Sequence, residues 1–127
     1  MTDPEANFDA LIAEPLAVRW EMSAAGAITS ISDSVLRARG FTPEQAAGQA
    51  INEIHPPESM RESLAYFEAF SRAVLEGRRP EPFEGELDYW CADGSSARFA
   101  VVALPIIADS GEVIGLRGVS APVPTRG

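Results

Sequence analysis

Few residues in this sequence have the chemistry of a catalyst. The 127 residues include one cysteine, Cys91, and one histidine, His55, but no lysine. A single cysteine can form neither an internal disulfide nor a cysteine-based zinc site. The absence of lysine excludes Schiff-base chemistry and a Walker-type phosphate loop. Serine pairs such as Ser95-Ser96 lack a base partner. We therefore predict that the chain is not an enzyme and has no catalytic residues and no metal site.

Acidic side chains form a cluster that could bind a partner. Glu84, Glu86 and Asp88 alternate with other residues in a predicted strand, so they share one face and could bind a cation or a basic partner. The alternative, which we favour, is a solvated face that discourages pairing at a sheet edge. The chain has 19 acidic residues against 10 basic ones and a net charge of -9. That charge argues against nucleic acid and membranes as partners.

Length and composition are those of one globular domain. Hydrophobic residues make up 46% and charged residues 23% of the chain, unlike a disordered or fibrous sequence. No uncharged stretch approaches the roughly 20 apolar residues of a membrane span. The acidic start of the chain lacks the basic region of a signal peptide. We therefore expect a cytoplasmic protein.

Hydrophobic periodicity and turn residues predict an α+β domain, with one five-stranded antiparallel sheet and helices on one face. Phe8, Leu11 and Ile12 would form one apolar stripe on an N-terminal helix. We divide the chain into that N-terminal cap helix (1–15), a core domain (16–120) and a C-terminal tail or linker (121–127). In chain order, the predicted elements are a helix over 2–13, strands over 16–22 and 27–31, short helices over 35–39, 43–48 and 51–54, a long helix over 58–76, and strands over 83–91, 97–107 and 113–120.

Four motifs in the correct order resemble the landmarks of the PAS domain family. The resemblance covers residues 16–119 and implies the PAS fold, in which the first strand lies between its hairpin partner and the last strand. In one departure from the family, residues 121–124 read Ala-Pro-Val-Pro where many PAS domains have Asp-[IV]-[ST], so we do not expect a continuous signalling helix there. The motifs are Trp20 with Gly26-Ala27-Ile28, Gly40-Phe41-Thr42-Pro43-Glu44 running to Gly48, Ile54-His55-Pro56-Pro57-Glu58, and Asp93-Gly94-Ser95 with Asp109-Ser110-Gly111-Glu112.

In PAS domains that bind haem or react with a flavin, the cofactor depends on particular residues. Haem is held by a histidine on the long helix, and residues 58–76 contain none. A photoactive flavin needs a cysteine on the small helices, and residues 34–54 contain none. We therefore expect neither haem nor a covalent flavin, and no other cofactor. We expect His55 to serve in the turn before the long helix and Cys91 to be an ordinary sheet residue.

A small apolar ligand is the remaining alternative to a fully packed, ligand-free core. In the PAS fold the pocket lies between the inner face of the sheet and the helices, and Gly115 and Gly118 would leave space there. The candidate lining residues are Ile31, Val35, Leu36, Ile54, Leu64, Phe67, Phe99, Val101 and Leu116.

The resemblance implies a sensory or dimerisation module of a bacterial signal-transduction protein, such as a histidine kinase, a diguanylate cyclase or a transcription regulator. The output domain would then lie outside this chain, in the parent protein or in a partner. The alternative is a ligand-free scaffold for protein–protein interaction. We expect a homodimer built on Phe8, Leu11 and Ile12 and on the outer face of the sheet. The strand over 97–107 is apolar on both faces, and its second face needs a cover from the same chain or from a partner.

Overall fold

The computed structural model describes residues 3–124. Thr2, at the start of the predicted N-terminal helix, and residues 125–127 of the predicted tail lie outside this range. In chain order, the elements are α1 (Pro4–Ile12), β1 (Val18–Ser23), β2 (Ile28–Ile31), α2 (Val35–Arg39), α3 (Pro43–Ala47), α4 (Ile51–Ile54), α5 (Pro57–Leu75), β3 (Phe83–Trp90), β4 (Ser96–Ile107) and β5 (Val113–Pro122).

Local sequence signals determine where the helices begin. A carboxylate oxygen of Asp3 caps α1 by accepting a backbone N–H at 3.1 Å. At α3, Thr42 and Gln45 form a reciprocal capping box with hydrogen bonds of 3.1 and 2.9 Å. The long helix α5 begins with Pro57. Proline has no backbone N–H, but an N–H in the first turn of a helix has no intrahelical acceptor, so proline loses no hydrogen bond at this position. These signals act within a few residues, which is why the helix starts could be predicted from the sequence.

The five strands form one antiparallel sheet in the order β2-β1-β5-β4-β3. β1 lies between its hairpin partner β2 and the last strand β5, which confirms the predicted strand order. The α+β architecture with a five-stranded antiparallel sheet is confirmed as well. β4 pairs with both β3 and β5 and, with 12 residues, is the longest strand.

The last strand extends beyond its predicted end at Ser120. Ala121 is paired within the sheet and only 1% exposed, and β5 ends at Pro122. Val123 still donates its N–H to the carbonyl of Arg98 at 2.9 Å. The predicted boundary of the tail is therefore too early. Proline opposes a helix, but it is tolerated at the end of a strand, because no hydrogen bond between strands needs its N–H there.

Helices cover both faces of the sheet. The small helices and α5 pack on the inner face, and α1 packs on the outer face. Phe8 of α1 is 5% exposed and packs against Val102, Leu104 and Val119. The guanidinium of Arg117 lies over the Phe8 ring, 4.8 Å from its centroid. The second apolar face of β4 is therefore covered by a helix of the same chain.

This arrangement corrects the role predicted for Phe8 as a dimer contact. The prediction assumed that its side chain needed a cover that a second copy could supply. Because Phe8 is buried in the core of its own chain, it cannot contact another copy while α1 stays docked. Leu11 and Ile12 pack against the same cluster but remain partly exposed.

Candidate functional site

A cavity lies between the inner face of the sheet and the helices. Its volume is about 110 Å³, below the roughly 300 Å³ at which pockets for drug-sized ligands begin. Most of its wall is apolar. The lining residues are Trp20, Met22, Ile28, Ile31, Arg39, Ala46, Ile54, His55, Ser63, Tyr66, Phe67, Phe83, Leu87, Tyr89, Val101, Ala103 and Leu116.

Five of the nine predicted pocket residues line this cavity, and each comes from a different element. Ile31 belongs to β2, Ile54 to α4, Phe67 to α5, Val101 to β4 and Leu116 to β5. The structure therefore brings residues from five separate elements together around one cavity. The other four predicted residues lie elsewhere.

Val35 and Phe99 are fully buried, at 0% exposure, but they lie in closely packed parts of the core. Val35 packs with Val18 and Ala46. Phe99 packs edge-on against Tyr89, with ring centroids 4.8 Å apart. Their placement in the pocket was therefore wrong, because neighbouring side chains fill the space around them and neither lines the cavity.

Leu36 and Leu64 face away from the cavity, with 51% and 47% of their surface exposed. On α2, the residue before Leu36 takes the buried position, and residues one apart on a helix do not share a face. On α5, Ser59 and Ser63 take the inward positions. The Ser59 hydroxyl accepts the N–H of Asp88 at 2.8 Å. The short side chains of Ser59 and Ser63 let α5 pack close to β3, and Leu64 lies on the outer side of the helix.

The two glycines expected to leave space in the pocket instead allow close packing. A Cβ on Gly118 would overlap the indole ring of Trp20, which occupies the space above that glycine. A Cβ on Gly115 would overlap the carbonyl oxygen of Met22 on the neighbouring strand. The Trp20 ring therefore fills the space expected at Gly118, which contributes to the small size of the cavity. Gly115 precedes cavity-lining Leu116 in β5, so it faces the other side of the sheet.

Arg39 contributes a buried positive charge to the cavity wall. Its exposure is 6%. Its Nε donates to the Trp90 carbonyl at 2.9 Å, and its Nη2 donates to the Gln49 Oε1 at 3.1 Å. The guanidinium carbon lies 5.1 Å from the ring centroid of Phe41 and 5.3 Å from that of Tyr89. Burial lowers the pKa of Arg39, but an arginine remains protonated in proteins.

Sequence reasoning missed Arg39 because arginine is usually a surface residue. One signal could have indicated its burial. Arg39 lies four residues after Val35 on the same short helix, and residues four apart share a face. Val35 is fully buried, so its neighbour one turn later points into the same interior.

His55 has both its predicted turn role and a place in the cavity wall. It ends α4, where its N–H donates to the carbonyl of Ile51. Its Nδ1 lies 2.8 Å from the Asp88 carbonyl oxygen and donates to it, because a carbonyl can only accept. The ring packs on Tyr89 at 4.5 Å. Burial lowers the pKa of His55, the Asp88 carbonyl opposes that effect, and the nearby charge of Arg39 adds to it. The side chain is therefore neutral at pH 7.

Hydrogen bonds also fix the polar aromatic groups of the cavity wall. Trp20 Nε1 donates to Ser120 Oγ at 3.1 Å, and the hydroxyl of Tyr89 shares a hydrogen bond with the same oxygen at 2.9 Å. Burial raises the pKa of Tyr89. The Tyr66 hydroxyl donates to the Glu81 carbonyl at 2.7 Å. Burial, aided by the Glu81 carboxylate, raises the pKa of Tyr66 to about 12. Both phenols therefore remain protonated at neutral pH.

The acidic strand face lies on the opposite side of the sheet from the cavity. Glu86 and Asp88 pair with Arg98 at 3.6 and 3.4 Å. Glu84 accepts a hydrogen bond from the side-chain amide of Asn7 at 2.7 Å. Within residues 3–124, no group of three His, Cys, Asp or Glu side chains is arranged to hold a metal ion. Over the same range, no helix is both long and apolar enough to cross a membrane.

A family model described as PAS fold matches residues 15–126. This chain belongs to the PAS family. The match spans all five strands of the PAS domain and the four helices α2–α5, and it leaves α1 outside. No curated protein matches this chain.

Solved structures with the same architecture include domains of signalling proteins. The PAS domain of a protein from Colwellia psychrerythraea is 20% identical with a TM-score of 0.68, and the alignment covers 96% of this chain and 95% of that one. A domain of a sensory box sensor histidine kinase/response regulator from Geobacter sulfurreducens is 16% identical with a TM-score of 0.59, and coverage is 92% of both chains.

The N-terminal domain of a diguanylate cyclase with a PAS/PAC sensor from Marinobacter aquaeolei is 19% identical, with a TM-score of 0.63. The alignment covers 84% of this chain and 94% of that one. At these identities the likeness shows that the chains share the PAS fold.

Proposed function

We propose that this PAS domain is a cytoplasmic sensory module of a bacterial signal-transduction protein and is not itself an enzyme. The observation that carries the proposal is the apolar cavity of about 110 Å³ between the sheet and the helices. Its wall holds three buried polar side chains, Arg39, His55 and Ser63. A largely apolar site with a few fixed polar groups is the usual form of a small-molecule site.

The similar domains from a sensor histidine kinase and a diguanylate cyclase support an output domain outside this chain. The contacts of the cavity wall support a route for the signal. Arg39 and His55 hydrogen-bond to the backbone of β3, so a ligand that moves either side chain would also act on the sheet. The sheet, in turn, contacts α1 on its outer face.

The second candidate function is a ligand-free dimerisation scaffold. Two observations favour it. The cavity is small, and Leu11 and Ile12 of α1 remain partly exposed after α1 packs on its own sheet. A second copy could cover these two side chains without displacing Phe8 from the core.

Native mass spectrometry of the purified chain distinguishes the two candidates, because it reports both bound small molecules and oligomeric state. A sensory module is expected to carry, or to bind when offered, one small molecule per chain. A scaffold is expected to be a ligand-free dimer. Sedimentation with and without residues 1–15 provides the control. A monomer in both forms at high micromolar concentration would exclude the dimer, and a chain that binds no small molecule would exclude the sensor.

A further inference from the structure

Arg39 places a positive charge in the cavity wall without a counter-ion. No carboxylate in residues 3–124 lies within salt-bridge distance of its guanidinium. Its Nε and Nη2 donate to neutral oxygens of Trp90 and Gln49. Its Nη1 has no hydrogen-bond acceptor among those same residues, and this atom is accessible to solvent, because no buried side-chain nitrogen or oxygen of residues 3–124 lacks a partner. The rest of the charge is buried without an opposite charge, which is unfavourable, and an anion that joined it at Nη1 would reduce that penalty.

The rest of the wall defines the size and character of such an anion. Ile54, Phe67 and Leu116 supply apolar surface. A cavity of about 150 Å³ can hold a benzene ring. The cavity here is smaller, at about 110 Å³, so it suits an occupant no larger than benzene, with at most about six non-hydrogen atoms. A ligand that satisfies both the charge and the apolar surface has a carboxylate at one end and a short aliphatic chain at the other.

We propose that the cavity binds a short-chain monocarboxylate of the size of butyrate, with its carboxylate on Arg39 and its aliphatic chain against the apolar wall. The inference rests on the sensory function proposed above and names the class of ligand. Charge-assisted hydrogen bonds from a guanidinium to a carboxylate are among the strongest that a protein can offer.

The guanidinium is held in position before any ligand arrives. Two hydrogen bonds and the rings of Phe41 and Tyr89 fix it. His55 and Tyr89, the titratable groups of the wall near Arg39, are both uncharged at pH 7, so neither brings a negative charge that would repel a carboxylate. A fixed donor group loses little side-chain entropy on binding, which favours affinity for a small ligand.

The test is an NMR titration of the isotope-labelled full chain with sodium butyrate at constant ionic strength. We expect saturable shifts at amides of α2 and β3, with a Kd below about 5 mM. Butyramide has the same size without the charge and should bind at least about tenfold more weakly. Arg39→Gln should weaken butyrate binding by at least about tenfold. Arg37→Gln makes the same charge change at an exposed position of the same helix, and it should leave the Kd within about twofold.

A second variant keeps the test decisive should Arg39→Gln fail to fold. Ile31→Phe leaves Arg39 intact and enlarges an apolar side chain at a partly exposed position of the cavity wall, so it should abolish binding while the circular dichroism spectrum stays native. The proposal is overturned if butyrate gives no saturable shifts, if butyramide binds as tightly, or if folded Ile31→Phe still binds. Native mass spectrometry separates this failure from failure of the sensory function. An uncharged molecule retained by the chain would overturn the proposed carboxylate ligand but not the sensory function. The absence of any ligand in both experiments would overturn both proposals.

Discussion

The packing of Trp20 on Gly118 makes Gly118→Ala an informative substitution in the sheet. The two residues face each other on β1 and β5, and the indole ring occupies the space where a Cβ would be. The ring also donates a hydrogen bond to Ser120 and lines the cavity. Alanine is therefore expected to displace the ring, although it adds only one methyl group.

The size of the effect follows from the geometry. A Cβ at position 118 would lie 2.5 Å from Trp20 Cη2, and two further ring atoms would lie closer. Carbon atoms in contact are about 3.5–4.0 Å apart, so the ring must move by at least about 1 Å. Overpacking of this kind costs about 1–3 kcal/mol, and loss of the hydrogen bond to Ser120 costs about 1 kcal/mol. We expect the free energy of unfolding to fall by about 2–4 kcal/mol, or the Tm by about 10 °C.

Urea unfolding followed by far-UV circular dichroism measures this loss without relying on the fluorescence of Trp20. Gly85→Ala is the matched control, because Gly85 lies in a strand, has no positive φ, and would bring its Cβ only to 3.3 Å from the end of the Phe83 ring. We expect the control to change stability by less than about 0.5 kcal/mol. In a Trp20→Leu background, Gly118→Ala should lose at least about 1 kcal/mol of its effect. Equal losses for the two glycine variants, or strict additivity with Trp20→Leu, would refute the reasoning.

Three further predictions concern α1, His55 and the cofactor. Phe8→Ala should lower the free energy of unfolding by about 3 kcal/mol in urea titrations, because it leaves a cavity under α1; half-buried Leu11→Ala should cost clearly less, and equal costs would contradict this account. Because burial lowers the pKa of His55, the unfolded chain binds a proton that the folded chain does not, so stability should fall as pH drops below about 6.5, by up to about 1.4 kcal/mol per pH unit. His55→Asn keeps a side-chain donor to the Asp88 carbonyl but takes up no proton, so its free energy of unfolding should lack this pH dependence. Parallel curves of stability against pH for the two proteins would disprove the explanation. Finally, protein expressed with added haem precursor and riboflavin should be colourless, because a cavity of about 110 Å³ is too small for either group; a Soret band, or a flavin band that bleaches in blue light, would show otherwise.

The order of the elements could be predicted because it depends on signals that act within a few residues. In β3, Leu87 and Tyr89 are buried while Glu84 and Glu86 are exposed, as the alternation in the sequence predicts. Gly94, with φ 88°, marks the turn between β3 and β4. Turns, caps and alternation together define five strands and their faces, and the family resemblance supplied the order of the strands in the sheet.

The cavity wall could be predicted only in part, because it depends on how closely the elements approach one another. Hydrophobicity alone predicts that Leu64 lies on the buried face of α5 and that Ser59 and Ser63 lie on its exposed face. The structure does the opposite, because Ser59 and Ser63 are short enough for α5 to approach β3. The burial of Arg39 depends on the Trp90 carbonyl, 51 residues away in the chain, and no local pattern reports such a pairing.

The free edge of β3 explains why polar side chains occupy the inner wall. β3 is an outermost strand, so backbone groups of Asp88 and Trp90 point away from the sheet. Ser59 accepts the Asp88 N–H, His55 donates to the Asp88 carbonyl, and Arg39 donates to the Trp90 carbonyl, at 2.8, 2.8 and 2.9 Å. These bonds occupy backbone groups at the C-terminal end of β3 that would otherwise be free to pair with another chain. Because Arg39 and His55 also line the cavity, the same bonds fix polar groups of the wall. A ligand therefore meets side chains that folding has already ordered, and little of their conformational entropy remains to be lost on binding.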